Sequence, residues 1–319
     1  MNLFQRVCDD EEDYWRVRNF LREVFVANGR LENSWHVARL DHWRWHLIET
    51  CHITPPFTQV TAVWETAAGE LAAVLHPFGD GEIRLHIHPR FRSVAQEAEI
   101  FAYAGEHLAA ETARGKIVIV PVLADDTLRQ EALTSLGFSR QPGWNHHYWR
   151  DLAAPIPTAP LPAGYRLRAM GDESEYPARS WCSWRAFHAD EPDSNYDGDY
   201  SWYGNMQTAP LYRRDLDVVA AAPDGSIAAF CTCAYDDYTR SAVTVLVGVA
   251  AEHWRRGLGK AVVLEGMRRL KRLGCTRVFA TAAEKPADAL YRAVMHTHRV
   301  TDTWVNWSGL TQKPSTAGD

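Results

Sequence analysis

Arg255-Arg256-Gly257-Leu258-Gly259-Lys260 brings two glycines and three cations into six consecutive positions. Glycines this close let a phosphate reach main-chain N–H groups that a side chain would shield. If a helix opens at the same place, its first N–H groups and the positive end of its dipole converge on that spot. The chemistry implied is the grip of a phosphate or pyrophosphate, with Arg255, Arg256 and Lys260 adding charge beside it. A second group of residues could move protons. Trp181, Trp184 and His188 are three and four residues apart, so on a helix they share one face. An imidazole on an aromatic face, with Asp190 and Glu191 close by, can be tuned to accept a proton near neutral pH. A buried, hydrogen-bonded histidine and a water relay remain alternatives to that role.

The flanking pattern supplies the elements these residues need. Ala242-Val243-Thr244-Val245-Leu246-Val247-Gly248-Val249 is rich in β-branched residues and reads as a strand. Leu258, Val262, Met267, Leu270 and Leu273 then recur at helical spacing up to Gly274, a C-terminal cap. The spacing excludes two phosphate loops. A Walker loop closes on Gly-Lys-Ser/Thr, whereas Lys260 is followed by Ala261; the dinucleotide fingerprint needs a further glycine where Val262 stands. Downstream, residues 276–282 read as a strand, 287–292 as a helix and 299–307 as a closing strand.

Gly257, Gly259 and Lys260, between strand and helix, resemble the acyl-CoA pyrophosphate loop of the GNAT acyltransferase superfamily. Ala287-Asp288-Ala289-Leu290-Tyr291 resembles that family's second signature, and the likeness spans roughly residues 165–307. Trp254 stands where Gln or Arg is usual, and Met295-His296 where the family continues Gly-Phe. The resemblance implies acetyl-CoA or another acyl-CoA as co-substrate and no metal. Trp254, Arg255, Arg256, Gly257, Leu258, Gly259 and Lys260 would hold the pyrophosphate. Val247, Gly248 and Val249 would hold the pantetheine arm, a backbone N–H near Val247 acting as oxyanion donor. Tyr291 is then the acid that protonates the leaving thiolate, with His188 and Glu191 as candidates for the base. The helices before the loop would line the acceptor pocket, and their aromatic run nominates Trp181, Trp184, Asp190 and Trp202 as substrate-binding residues. The implied reaction moves an acyl group to the amine of a small molecule such as an amino sugar or an antibiotic. O-acyl transfer and a catalytically silent CoA-binding sensor are the alternatives.

The whole chain repeats one order of elements. Before the proline-rich run, strands are expected over 3–7, 60–66, 71–76, 82–88, 116–122 and up to about 149, and helices over 11–26, 33–49, 94–112 and 126–136. The fold expected is α+β: two tandem GNAT-like domains, each a mixed, mostly antiparallel sheet flanked by helices. Their bounds are 1–150 and 164–310, joined by a stiff linker at 151–163 and followed by a tail at 311–319. The first copy carries Pro89-Arg90-Phe91-Arg92-Ser93 where the loop should be, so no tight conventional CoA site is expected in this half, with Arg90 and Arg92 as solvated surface side chains. Leu133 replaces the tyrosine there.

With 46% hydrophobic and 23% charged residues the chain is globular, and a net charge of −6 argues against a nucleic-acid partner. No run is apolar enough for a membrane span and the start is not a secretory signal, which predicts a cytoplasmic protein, monomer or homodimer. Six scattered cysteines without a Cys-x-x-Cys pair predict buried free thiols, Cys231 and Cys233 facing the same side, and no metal site. Asp236-Asp237 is expected in a turn.

Overall fold

A computed structural model describes residues 2–307; the expected tail at 311–319 lies outside the described residues. The elements run β1 (Phe4–Val7), α1 (Glu11–Ala27), α2 (Val37–His42) with a π-helical turn at Trp43–Ile48, α3 (Phe57–Val60), β2 (Ala62–Glu65), β3 (Leu71–Pro77) and β4 (Ile83–Ile87). Then come α4 (Val94–His107), β5 (Ala110–Thr112), β6 (Gly115–Leu123), α5 (Thr127–Ser135) and β7 (Ser139–Asp151). The second half gives β8 (Arg166–Ala169), α6 (Tyr176–Phe187), α7 (Ser201–Thr208), β9 (Asp217–Ala221), β10 (Ile227–Asp236), β11 (Ser241–Val249), α8 (Leu258–Arg272), β12 (Arg277–Ala282), α9 (Lys285–Val294) and β13 (Thr297–Trp307). The α+β class and the repeated order are as the sequence implies. The helix read over 33–49 instead starts at Val37 and widens after His42. There Cys51 N–H bonds to His46 O, a five-residue step that leaves a helical periodicity almost unchanged.

The described residues form two compact units: 2–34, 52–145 and 300–307 make one, 35–51 and 146–299 the other. Neither unit is contiguous. Residues 301–307 of β13 pair antiparallel with β6, while residues 146–151 of β7 pair antiparallel with β12. Each final strand therefore completes the sheet of the other sequence half. An alternating strand suits either sheet equally, which is why periodicity gives no hint of this partnering.

In the first unit, β1 to β4 form an antiparallel sheet in sequence order. Ile100, Phe101, Val118 and Leu133 sit in its core. Arg92 is not a solvated surface group. It pairs with Glu97 at 2.5 Å and Asp126 at 2.8 Å, and Arg129 meets Glu97 at 2.8 Å. Arg90 pairs with Glu70. The start of α4 is capped by Ser93, whose hydroxyl accepts from Gln96 N–H. Glu97 is fully buried, so its charge depends on the two guanidinium partners. Glu97→Gln should cost about 2 kcal/mol, the worth of charge-assisted hydrogen bonds with Asp126 still present to balance the arginines. Urea unfolding of the variant beside wild type measures it.

In the second unit the strands lie in the order β7–β12–β11–β10–β9–β8, with residues 146–151 representing β7. Only β11 and β12 run parallel. One face is covered by α8: a Cβ on Gly266 would stand 3.0 Å from Cys233 Sγ, and Cys231 and Cys233 lie 3.6 Å apart on that same face. The other face carries Phe230 and Thr232. Over it lies α6, with Arg179 stacked 3.4 Å from the Phe230 ring centre. Residues 35–51 belong to this unit too; α2 packs on β10 and β11, and its Val37, Ala38 and Leu40 are buried. The proline-rich run is anchored rather than merely stiff. Pro155 O accepts from Arg150, Pro157 O accepts from Arg268, and Ile156 and Leu161 rest on the core. All cysteines are free and all but Cys51 are buried. Asp236 closes its turn by accepting from the N–H and hydroxyl of Thr239.

Candidate active site

β11 and β12 are paired only from Ser241↔Arg277 to Val243↔Phe279. Beyond Val243 the two strands part, and β11 keeps only β10 as a neighbour. The pairing alternation says which main-chain groups this exposes. Ala250 N–H bonds to Ala228 O, so in the same register Gly248 and Phe230 form a hydrogen-bonded pair, whereas Val247 and Val249 do not bond β10. The N–H and C=O of Val247 therefore point into the gap left by β12. Val249 O, on the same edge, accepts from the indole N–H of Trp254 at 2.8 Å. Trp254 thus ties off the strand end, a contact the sequence does not announce.

Gly248 is held by close neighbours: a Cβ there would run into the Phe230 ring and stand 2.8 Å from Ala186 Cβ. The end of α6 therefore rests directly on this part of β11. A register shift at Thr232/Cys233 leaves Val245 without a partner on β10, a bulge at the point where the gap opens.

The loop after β11 has the conformation its composition implies. Arg255 and Gly257 lie in the left-handed region, with φ 61 and φ 77, and Gly257 is the N-cap of α8. No side chain caps this helix start, so the first N–H groups of the 15-residue helix remain directed outward. Gly259 serves another purpose: a Cβ would stand 3.3 Å from Val249 and 3.6 Å from Leu290, so glycine allows α8 to approach the strand. Leu258 is buried beneath the turn, while Arg255 and Arg256 are exposed and Lys260 half-buried. The structure thus gathers Trp254 to Lys260 around one cradle of amides, with Val247, Gly248 and Val249 leading into the gap.

Tyr291, on α9, is buried, and its hydroxyl lies 3.5 Å from Thr244 Oγ1 at the inner end of the gap. Burial raises its pKa well above the ordinary phenol value, so the hydroxyl stays protonated.

On the α6 side, a cavity of about 220 Å³ is walled by Trp184, His188, Tyr196, Asp197, Asp199 and Trp202, among others. Trp181 stacks on Trp184 with centroids 5.6 Å apart, and Trp184 in turn on His188 at 5.7 Å and 13°. His188 Nδ1 bonds Glu191 at 2.8 Å, and this bond holds the Glu191 carboxyl below its usual pKa. Trp202 donates to Ser180 Oγ at 2.9 Å. Asp190 is exposed beside this group.

Sequence reasoning did not nominate α2 as part of this unit. His42 and His46, four residues apart with centroids at 5.0 Å, share with Val245 the wall of a second, smaller cavity. Each ring keeps some accessible surface but is enclosed by protein. Burial, then His46 and Arg39, bring the His42 pKa down to about 3; burial, then Arg179, bring that of His46 to about 4. Both imidazoles are neutral at pH 7. Their spacing was visible in the sequence, but their meeting with β11, some two hundred positions later, was not.

Residues 178–296 match the model of the acetyltransferase (GNAT) family. Over this stretch the chain is similar to that family. Known structures extend the likeness of fold over nearly the whole chain. A GCN5-related N-acetyltransferase from Sphaerobacter thermophilus is 18% identical, with a TM-score of 0.64 and coverage of 95% of each chain. A tandem GNAT protein from the clavulanic acid biosynthesis pathway is 17% identical, with a TM-score of 0.63 over 96% of this chain and 98% of that one. An acetyltransferase of the GNAT family from Colwellia psychrerythraea is 15% identical, with a TM-score of 0.58 over 95% and 100%. No curated protein matches the sequence. The GNAT match supports acyl transfer from an acyl-CoA as the general activity. Among the described residues no helix is long and apolar enough to cross a membrane.

Proposed function

We propose that the second unit is an acyl-CoA-dependent N-acyltransferase acting on the amine of a small molecule. The observation that carries this reading is the free edge of β11. It runs from the amide cradle at Gly257 to Val247 and ends beside the Tyr291 hydroxyl. A pantetheine arm laid there as an added strand would bond Val247 and bring the thioester to the mouth of the gap. The amine nitrogen forms its bond to the thioester carbon while the N–H of Val247 stabilises the oxyanion. Before that attack the ammonium gives up one proton toward His188, directly or through water. The C–S bond then breaks as Tyr291 gives its proton to the departing sulfur, and the second proton lost from nitrogen returns to the Tyr291 phenolate through water.

The acidic side chains around the larger cavity, Asp197, Asp199 and Glu191, favour a cationic amine as acceptor, and Trp184 and Trp202 offer faces for stacking on a sugar or aromatic ring. Thiol release from acetyl-CoA in the presence of amino sugars, aminoglycosides, amino acids and matched alcohols tests the proposal. Turnover confined to alcohols would convert it to O-acyl transfer, and thioester binding without any turnover would point to the silent sensor. His188→Ala should lower kcat about tenfold, less than general-base catalysis usually contributes, because water can relay the proton in its place. If the rate is unchanged, His188 is not the base.

A further inference from the structure

The cradle and the gap account for the carrier, and the larger cavity for an acceptor. The smaller cavity is used by neither. It lies where the gap closes: Val245, the bulged residue two positions past the last β11–β12 pair, forms part of its wall. An arm running from the loop past Val249 and Val247 meets the closed sheet at Val243 and must turn out of its plane. Toward α9 it meets the Tyr291 hydroxyl, which suits the sulfur. Toward α2 it meets this cavity, whose other walls include Ala38, Leu211 and Met206.

The walls are largely apolar, and the two imidazoles among them are uncharged. Asp41, a carboxylate on the wall, is buried and already has a partner. Such a site welcomes an uncharged, apolar group and penalises an ammonium. With a volume of about 30 Å³ it has room for roughly two water-sized groups. Part of its wall, Ala38 to His46, comes from residues 35–51, so the amino-terminal half of the sequence would set the length of the group transferred.

We propose that this cavity is the acyl pocket, taking a short straight acyl tail one or two carbons longer than acetyl. The proposal rests on the acyltransferase reading above and adds the acyl class to it. Filling a fitted apolar pocket gains about tenfold per methylene. Calorimetric titration of the full chain with acetyl-, propionyl-, butyryl- and hexanoyl-CoA should therefore show affinity rising about tenfold per carbon to propionyl or butyryl and dropping at hexanoyl. Ala38→Val, which fills the cavity, should erase that rise, and Val245→Ala, which enlarges it, should move the optimum one carbon longer. Because each comparison is a ratio within one variant, a general loss of stability does not imitate the result. A flat or acetyl-first series in wild type overturns the acyl pocket and leaves the acyltransferase reading standing. So does a series that neither variant alters, or one in which only the acceptor's KM moves. Failure of every thioester, and of CoA itself, to bind would overturn both.

Discussion

Gly257→Val should weaken the binding of CoA about a hundredfold. Gly257 holds φ 77, a conformation that a β-branched residue adopts only under strain, so the turn must relax into another shape. A Cβ there would touch nothing within 4 Å, so the change acts through the backbone and not through a clash with the core. Relaxing the turn swings the uncapped N–H groups at the start of α8 away from their common focus. Losing one or two hydrogen bonds to a charged phosphate, at about 1.5–3 kcal/mol each, gives the hundredfold. Gly257→Asn, which tolerates the left-handed region, should lose far less. Calorimetry with CoA measures both variants. Equal losses would mean that side-chain bulk and not backbone geometry is responsible. No loss in either would place the diphosphate elsewhere.

The cradle was legible before any coordinates because it is local. Two glycines, a strand pattern before them and a helical pattern after them all lie between Ala242 and Gly274, and local chemistry fixes the turn. The same holds for the shared helix face of Trp181, Trp184 and His188. What escaped the sequence is non-local. The exchange of residues 146–151 and 301–307 between sheets depends on register, and both strands alternate well enough for either partner. The carboxylates around Arg92 come from Glu97 and Asp126, and the second of these is thirty-four positions away. The wall of the smaller cavity joins α2 to β10 and β11, a meeting that no window of periodicity contains. The Val245 bulge is a mismatch in count between two strands, which a single strand read alone does not reveal.

Tyr291→Phe should lower kcat at least a hundredfold, the range general-acid catalysis contributes, while the KM for the thioester changes by no more than a small factor. The phenol makes one long contact, 3.5 Å to Thr244, so removing the oxygen should cost the fold little. The expected loss therefore belongs to the reaction and not to stability, and a melting curve close to that of wild type checks this. The pH dependence adds a second constraint. Burial raises the Tyr291 pKa, so the acid form persists through and beyond the ordinary phenol range. In sign terms, the folded protein resists deprotonation that the unfolded chain accepts above about 10, so this residue weakens stability only at strongly alkaline pH. Wild type should then show no alkaline loss of kcat between pH 7 and 9 that Tyr291→Phe removes. A variant turning over at the wild-type rate would mean that the thiolate leaves without help from this hydroxyl, and the inner end of the gap would have to be assigned a different acid, with Thr244 Oγ1 or a water in contact with it next in line.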